Sequence, residues 1–251
     1  MSNYLITAWQ ASLRDSGYEV TSTVADGERV FAASNGYVYL LDFFSGEEKA
    51  RNDLPEMGKR EHHEVRMSIC SGGDTLFVGI NGYAWGIEPY SLNTKWKTSL
   101  PGCGYGTTSV LGTSSACFAA CNGYLYKLDA HGGGVECRND MAGVDKREVR
   151  MEYHDPTNRL YVGTNGYGLS MNGWDISERW RVSLPGSGYS ITSVATGKNH
   201  VYFANNGYVF TIDHNGNLVS RNDLPGRGEH ETRLAVSLGS EERVFAGING
   251  F

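Results

Sequence analysis

One short turn recurs six times along this chain at nearly constant spacing. It consists of asparagine, glycine and an aromatic residue, and successive copies are separated by 46, 41, 43, 41 and 43 positions. The six copies begin at Asn35, Asn81, Asn122, Asn165, Asn206 and Asn249. A fixed period of roughly 42 residues indicates a tandem-repeat architecture.

The residues around each turn indicate β-structure. In the first copy, an apolar run at Val30–Ala33 precedes the turn and a second run at Val38–Asp42 follows it. Asn-Gly between two such runs is the strongest short hairpin signal, because both turn residues need positive φ. A further turn and two further runs complete four short strands per repeat, which is typical of a propeller blade. The sequence therefore predicts an all-β, six-bladed β-propeller of four-stranded blades, forming a single domain over residues 1–251.

A longer period overlies the short one. One loop type reads Leu-x-x-x-Gly-Tyr and ends at Tyr18, Tyr105 and Tyr189. A second type reads Arg-Asn-Asp and alternates with the first, beginning at Arg51, Arg138 and Arg221. Two alternating blade types predict a pseudo-threefold ring of three two-blade repeats.

The two ends of the sequence predict how the ring closes. Trp9 aligns with Trp96 and Trp180, which fall in the last strand of their repeats, whereas Phe251 falls within an unfinished repeat. We therefore expect the closing blade to be shared between the N- and C-termini, which would remove an open sheet edge.

The repeat also resembles a known family. Residues 30–42 with Ser45-Gly46, and the segments Tyr124–Asp129 and Tyr208–Asp213, are similar to the PQQ-like (quinoprotein-like) propeller repeat. The resemblance implies the propeller fold. Quinone-dependent dehydrogenases of that family have eight blades, an adjacent cysteine pair and a calcium-binding active site, whereas this chain has six units and no adjacent cysteines. The resemblance therefore carries no cofactor over, and we expect none. The architecture is also similar to the multivalent propeller lectins of fungi and bacteria.

Bulk properties narrow the possible partners. The net charge of −6 argues against a sequence-independent nucleic-acid surface, and no apolar run approaches the roughly 18 residues of a membrane-spanning helix. Residues 1–13 lack the pattern of a signal peptide, which predicts a cytoplasmic protein or one secreted without such a peptide.

Five cysteines match no zinc spacing. Cys117 and Cys121 are interpreted as small core residues suited to a reducing compartment.

The first predicted ligand-binding set follows the Gly-Tyr loops. Tyrosine offers an apolar face for a sugar ring and a hydroxyl for its edge, and the neighbouring glycines permit close approach of the backbone. Alternatively, each tyrosine plugs the space between blades. The set comprises Tyr18, Tyr105 and Tyr189 with Thr21, Thr108 and Thr192.

The second predicted set follows the Arg-Asn-Asp loops. Amide, carboxylate and guanidinium groups together can bind sugar hydroxyls. An inter-blade ion pair between Glu and Arg is the alternative. The set comprises Asn52, Asp53, Glu64, Arg66, Asn139, Asp140, Glu148, Arg150, Asn222, Asp223, Glu231 and Arg233.

These patterns bear on three possible functions. Repeated polar and aromatic loops favour a non-enzymatic, multivalent carbohydrate-binding lectin with glycans as partners, whose repeated sites lie on one propeller face between blades. Several weak sites on one body gain avidity. A protein-interaction platform of the WD-repeat type is the alternative, although such platforms usually use sequence that varies between blades. An enzyme needs a unique catalytic cluster, and the seven histidines show no such grouping in the sequence.

Overall fold

A computed structural model of the chain describes residues 7–17, 20–54, 64–70, 73–144, 148–188, 191–224, 231–239 and 241–248. These residues form strands, turns and one short 3-10 turn at Asp155–Thr157. Among them, no helix is long and apolar enough to cross a bilayer.

The strands form six antiparallel sheets, numbered here along the chain. The first three sheets contain β1 (Ser22–Asp26), β2 (Arg29–Ser34), β3 (Tyr37–Asp42) and β4 (Glu48–Asp53); β5 (Arg66–Ile69), β6 (Leu76–Ile80), β7 (Tyr83–Ile87) and β8 (Thr94–Ser99); β9 (Ser109–Gly112), β10 (Ala116–Cys121), β11 (Tyr124–Asp129) and β12 (Val135–Asp140). In each sheet the strands neighbour one another in sequence order, which is the meander of a propeller blade.

The remaining sheets follow the same order. They contain β13 (Val149–His154), β14 (Arg159–Thr164), β15 (Tyr167–Asn172) and β16 (Glu178–Ser183); β17 (Ser193–Thr196), β18 (His200–Asn205), β19 (Tyr208–Asp213) and β20 (Leu218–Asp223); and β21 (Arg233–Leu238) with β22 (Glu242–Gly247). All-β structure in six sheets agrees with the predicted six-bladed propeller. In the described residues the sixth sheet has two strands, not the expected four.

The chain divides into two compact units. One contains Met1–Cys117 with Leu128–Gly134, and the other contains Phe118–Lys127 with Val135–Phe251. In the first unit, β1 packs beside β5 and β5 beside β9; in the second, β13 packs beside β17 and β17 beside β21. The prediction of a single domain stays a prediction, as does ring closure.

The Asn-Gly turns have the predicted geometry. Asparagine φ lies between 49° and 51° in the five described copies, and the following glycine has φ between 74° and 79°. Both residues are therefore left-handed, as the type I′ hairpin requires. The sixth copy, residues 249–251, lies outside the described residues.

Neighbouring sheets are joined by a repeated tryptophan–glycine contact that the sequence pattern did not predict. The indole nitrogen of Trp96 donates to the carbonyl of Ala130 (3.0 Å), and that of Trp180 donates to the carbonyl of His214 (3.1 Å). Each ring covers a left-handed glycine in the same turn, Gly133 or Gly216, where a Cβ atom would overlap the indole. Only glycine satisfies both the positive φ and this close approach.

Trp9 makes the same contact with sheet 1. Its indole nitrogen donates to the carbonyl of Phe43 (2.8 Å), and its ring covers the left-handed Gly46. Ala11 and Leu13 pack with Trp9 against buried Tyr39. Residues 7–13 therefore contact sheet 1 as the last strand of sheet 2 contacts sheet 3.

The interpretation of the cysteines needs one correction. Cys117 is buried and free, as expected of a small core residue. Cys121 is equally buried, but it is disulfide-bonded, as is Cys103. The sequence could not show this, because sequence spacing does not determine which sulfur atoms approach one another.

Candidate functional site

The loops that enter sheets 1 and 5 are fixed by the Asn-Gly turns. The side-chain amide of Asn206 donates to the carbonyl of Ser187 (2.5 Å), and that of Asn35 donates to the carbonyl of Asp15 (3.4 Å). On the other side, Gly166 approaches the carbonyl of Gly188 so closely that a Cβ atom would overlap it. The backbone of the loop before sheet 5 is therefore fixed by a side chain and by the backbone, and that of the loop before sheet 1 by the Asn35 side chain.

Two of the predicted threonines hydrogen-bond to the glycine of an Asn-Gly turn. Thr108 is buried and accepts a hydrogen bond from the amide of Gly82 (2.8 Å). Thr192 is buried and accepts one from the amide of Gly166 (3.0 Å). Thr232, which is not among the predicted residues, likewise accepts a hydrogen bond from the amide of Gly207 (3.0 Å). These hydroxyls position the turns beneath the surface, whereas Thr21 is exposed.

The loop tyrosine points into solvent where it is described. Tyr105 is 84% exposed, the largest such value among the large apolar side chains of the described residues. Tyr18 and Tyr189 lie outside the described residues. A rigid glycine loop that holds an aromatic ring in solvent suits stacking against a ligand.

A second feature repeats three times at the same end of the sheets. In each Arg-Asn-Asp blade the guanidinium lies over the ring of the Asn-Gly-Tyr tyrosine, and the aspartate two residues later binds the same arginine. The three triplets, with arginine-to-ring and ion-pair distances, are Tyr37–Arg51–Asp53 (5.2 and 3.1 Å), Tyr124–Arg138–Asp140 (4.4 and 2.6 Å) and Tyr208–Arg221–Asp223 (4.6 and 2.6 Å). The carboxylates are 54, 65 and 41% exposed, so each triplet remains open to solvent.

The arginines connect the two predicted loop families. Arg51 donates to the Asp15 carboxylate (2.8 Å) in the loop that enters sheet 1, and Arg221 donates to the Pro185 carbonyl (3.3 Å) in the loop that enters sheet 5. The hydrogen bond to Asp15 raises the pKa of the Arg51 guanidinium above its ordinary value. The two loop families are thus parts of one surface in these sheets. The predicted ligand-binding set includes the aspartates of these motifs but not their arginines.

The asparagines of the Arg-Asn-Asp motifs lie on the opposite face of the strand from the arginines and aspartates. Asn52 donates to the Leu92 carbonyl (2.5 Å), and Asn139 donates to the Ile176 carbonyl (2.8 Å), in each case in the outer turn of the next sheet. Successive residues of a strand point to opposite faces, which separates Asn from its Arg and Asp neighbours. Asn222 is exposed and lines a cavity of about 440 Å³ beside Val244.

The Glu-x-Arg pairs lie where the first strand of sheets 2, 4 and 6 begins, whereas the arginines of the triplets lie in the fourth strand of their sheets. The pairs are Glu64–Arg66 (2.6 Å), Glu148–Arg150 (2.9 Å) and Glu231–Arg233 (3.1 Å). Arg150 of sheet 4 also binds Glu231 at the entry to sheet 6 (2.8 Å), which is the inter-blade arrangement weighed above as the alternative. Arg150, Glu231 and Arg233 line a cavity of about 170 Å³ in the second unit. The ligand-binding role of the predicted residues stays a prediction.

Glu152 in β13 supplies a titration that can be measured. Burial raises the pKa of this carboxyl to about 7. A raised folded-state pKa gives stability that is present below the unfolded value and is lost as pH rises through about 7. Glu152→Gln is therefore expected to match the parent near pH 4, below the ordinary pKa of a glutamate, and to exceed its free energy of unfolding by roughly 1–3 kcal/mol at pH 8. Urea denaturation at both pH values measures this, and equal differences at both would contradict it.

Comparison with known proteins shows the fold. No protein-family model matches the sequence, and no curated protein is significantly similar to it. BamB from Moraxella catarrhalis superposes with a TM-score of 0.53 at 17% identity, covering 95% of this chain and 82% of that one. A quinohemoprotein alcohol dehydrogenase from Pseudomonas putida HK5 gives 0.66 at 15%, covering 86% of this chain and 43% of that one.

Two further structures are similar. The computationally designed Ika8 protein gives a TM-score of 0.67 at 17% identity, covering 85% of this chain and 64% of that one. A quinohemoprotein alcohol dehydrogenase from Comamonas testosteroni gives 0.65 at 12%, covering 83% of this chain and 44% of that one. The chain therefore spans less than half the length of the two dehydrogenases. At these identities the similarity confirms the PQQ-like propeller fold and extends no further.

Proposed function

We propose that this protein is a non-enzymatic, multivalent carbohydrate-binding lectin whose sites lie at the Asn-Gly end of the sheets. The observation that carries the proposal is the threefold repetition of the solvent-open Tyr–Arg–Asp triplet. A carboxylate and a guanidinium fixed side by side offer acceptors and donors for neighbouring hydroxyls. The exposed ring of Tyr105 supplies an apolar face of the kind that sugar C–H groups stack on.

The preorganisation of these groups supports binding over a purely structural role. Arg51 and Arg221 are held by a ring, a carboxylate and an entry-loop oxygen, so little side-chain freedom remains to be lost when a ligand binds. The proposal includes no cofactor and no catalytic step. Glycans and glycoconjugates are the proposed partners, and three weak sites on one body would gain avidity on a clustered surface.

Closure of the ring belongs to the same proposal. Trp9 contacts Gly46 as Trp96 contacts Gly133, so residues 7–13 occupy the place of a last strand in the blade that precedes sheet 1. In a closed six-bladed ring that blade is the sixth. We infer that the N-terminal segment and sheet 6 build one shared blade.

The aspartates of the triplets provide the test. Replacing Asp53, Asp140 and Asp223 together by asparagine preserves shape and removes three charged acceptors, each worth roughly 1.5–3 kcal/mol in a hydrogen bond. We expect the apparent affinity for glycan surfaces to fall at least about tenfold, as measured on a glycan array and by surface binding.

Glu241→Gln is the matched control, because this carboxylate is 75% exposed and pairs with Arg243 (3.3 Å) outside the triplets. It should bind like the parent. A crystal soaked with the best array ligand should show sugar at the triplets. A parent protein that binds nothing on a broad array would reject the lectin function.

A further inference from the structure

The opposite end of the sheets carries a second repeated feature. The outer turn between the third and fourth strands presents a large aromatic side chain at its tip in sheets 1, 2 and 4. These residues are Phe44, Tyr90 and Trp174, which are 71, 69 and 73% exposed. The equivalent tips in sheets 3 and 5 carry His131 and Asn215. Single exposed apolar residues are ordinary on protein surfaces, but recurrence at one position of a repeat is not.

Each aromatic tip is held by the side chain two residues before it. The carboxylate of Asp42 accepts the amide of Phe44 (2.9 Å), and the side-chain oxygen of Asn172 accepts that of Trp174 (3.1 Å). Glu88 accepts the amide of Tyr90 in the same way (3.1 Å). The backbone that carries each ring is therefore fixed, as Asx-type turns require.

Charged groups flank two of these rings. Lys127 donates to the Trp174 carbonyl (3.0 Å) and binds Glu136 (2.8 Å). The guanidinium of Arg29 lies 5.0 Å from the centre of the Tyr90 ring. The residue that follows each tip is polar: Ser45, Ser91 or Asp175. An apolar ring bordered by hydrogen-bonding groups matches one face of a hexose better than it matches a lipid surface, which favours continuous apolar patches.

We propose that Phe44, Tyr90 and Trp174 are a second set of hexose-stacking sites, so that each of these sheets has a glycan-binding position at its outer-turn end. This inference rests on the proposed lectin function and extends it. In a sheet with six-residue strands the two ends lie roughly 20 Å apart. Binding at both ends lets one molecule bridge two glycan-bearing surfaces, which sites at one end alone would not do.

The test compares binding with bridging. Phe44→Ala, Tyr90→Ala and Trp174→Ala are combined in one variant, and Val135→Ala, Val219→Ala and Leu238→Ala form the control, because these strand residues are 48, 55 and 67% exposed. The probes are a flat surface and a bead suspension coated with the glycan that the parent binds best on an array. We expect the aromatic variant to bind the flat surface within about twofold of the parent, while bead aggregation falls roughly tenfold or more.

The possible results separate the two proposals. A parent that binds no glycan rejects the lectin function and this inference with it. A parent that binds without aggregating beads, or an aromatic variant that aggregates them as the parent and the control do, rejects only the second set of sites. Loss of phosphatidylcholine vesicle binding in the aromatic variant, with bead aggregation unchanged, would reassign the tips to lipid and overturn the inference.

Discussion

Trp96→Ala is expected to lower the free energy of unfolding by roughly 3–5 kcal/mol. Trp96 is 8% exposed, and its ring fills the space above the left-handed Gly133 in the next sheet. Truncation leaves a cavity between two sheets and removes the hydrogen bond to the buried Ala130 carbonyl (3.0 Å). Equilibrium urea denaturation at constant pH measures the change.

Two variants make this result interpretable. Trp174→Ala removes the same side chain from a 73% exposed position and should change the free energy of unfolding by no more than about 0.5 kcal/mol. Trp9→Ala should cost nearly as much as Trp96→Ala if residues 7–13 complete a blade as proposed. A loss at Trp96 no larger than that at Trp174 would contradict the packing argument.

The local part of the architecture could be predicted from sequence because it depends on adjacent residues. Asn-Gly requires positive φ at both positions, and the described turns have it. The tryptophan–glycine contacts could not be predicted in this way, because Trp96 and Gly133 belong to different repeats and only tertiary packing brings them together. The disulfide-bonded state of Cys103 and Cys121 was missed for the same reason.

The division of the Arg-Asn-Asp residues between two faces could have been predicted from the sequence, although the prediction grouped the asparagines with the aspartates. In a strand that reads Arg-Asn-Asp, the first and third residues share one face and the second lies on the other. That rule separates Arg138 and Asp140, which bind each other (2.6 Å), from Asn139, which binds the next sheet (2.8 Å). The stacking of arginine on tyrosine was not readable, because it depends on the register between the third and fourth strands.

The alternating interfaces differ by an exchange of large and small residues. Where sheet 2 has Trp96 in its last strand, sheet 1 has Ala50; where the next sheet's turn has Gly133, the turn of sheet 2 has Leu92. The positions correspond, because Thr98 donates to the Gly133 carbonyl (2.6 Å) as Asn52 does to that of Leu92 (2.5 Å). At these two interfaces a large residue of one sheet faces a small residue of the next, and the order of large and small is reversed between them.

A third position takes part in the exchange. Trp96 pairs with Gly86 across the sheet, and a Cβ atom on Gly86 would overlap the indole, whereas Ala50 pairs with Leu40. Leu40 and Leu92 belong to one buried cluster, against which Ala50 packs. A tryptophan at position 50 therefore meets two leucines where Trp96 meets two glycines.

The effect of Ala50→Trp on the free energy of unfolding is consequently expected to change sign with the background in which it is made. In the parent it should lower the free energy of unfolding by about 3 kcal/mol, because the ring overpacks a filled space. In the Leu40→Gly/Leu92→Gly background it should raise the free energy of unfolding by about 2 kcal/mol or more, because the same ring fills the cavity that the two leucines leave. Urea denaturation of the four proteins measures both effects and their coupling.

The control separates this exchange from a general response to weakening. Leu128→Gly removes a buried leucine of sheet 3 outside that cluster, and Ala50→Trp should remain as destabilising there as in the parent. Equal effects of Ala50→Trp in all three backgrounds would mean that tryptophan–glycine complementarity does not define the interface. Reversal only with Leu40 and Leu92 replaced would mean that residue size at three positions determines which blade packs beside which. The alternating order of the repeats, and hence the threefold spacing of the proposed sites, would then follow from packing alone.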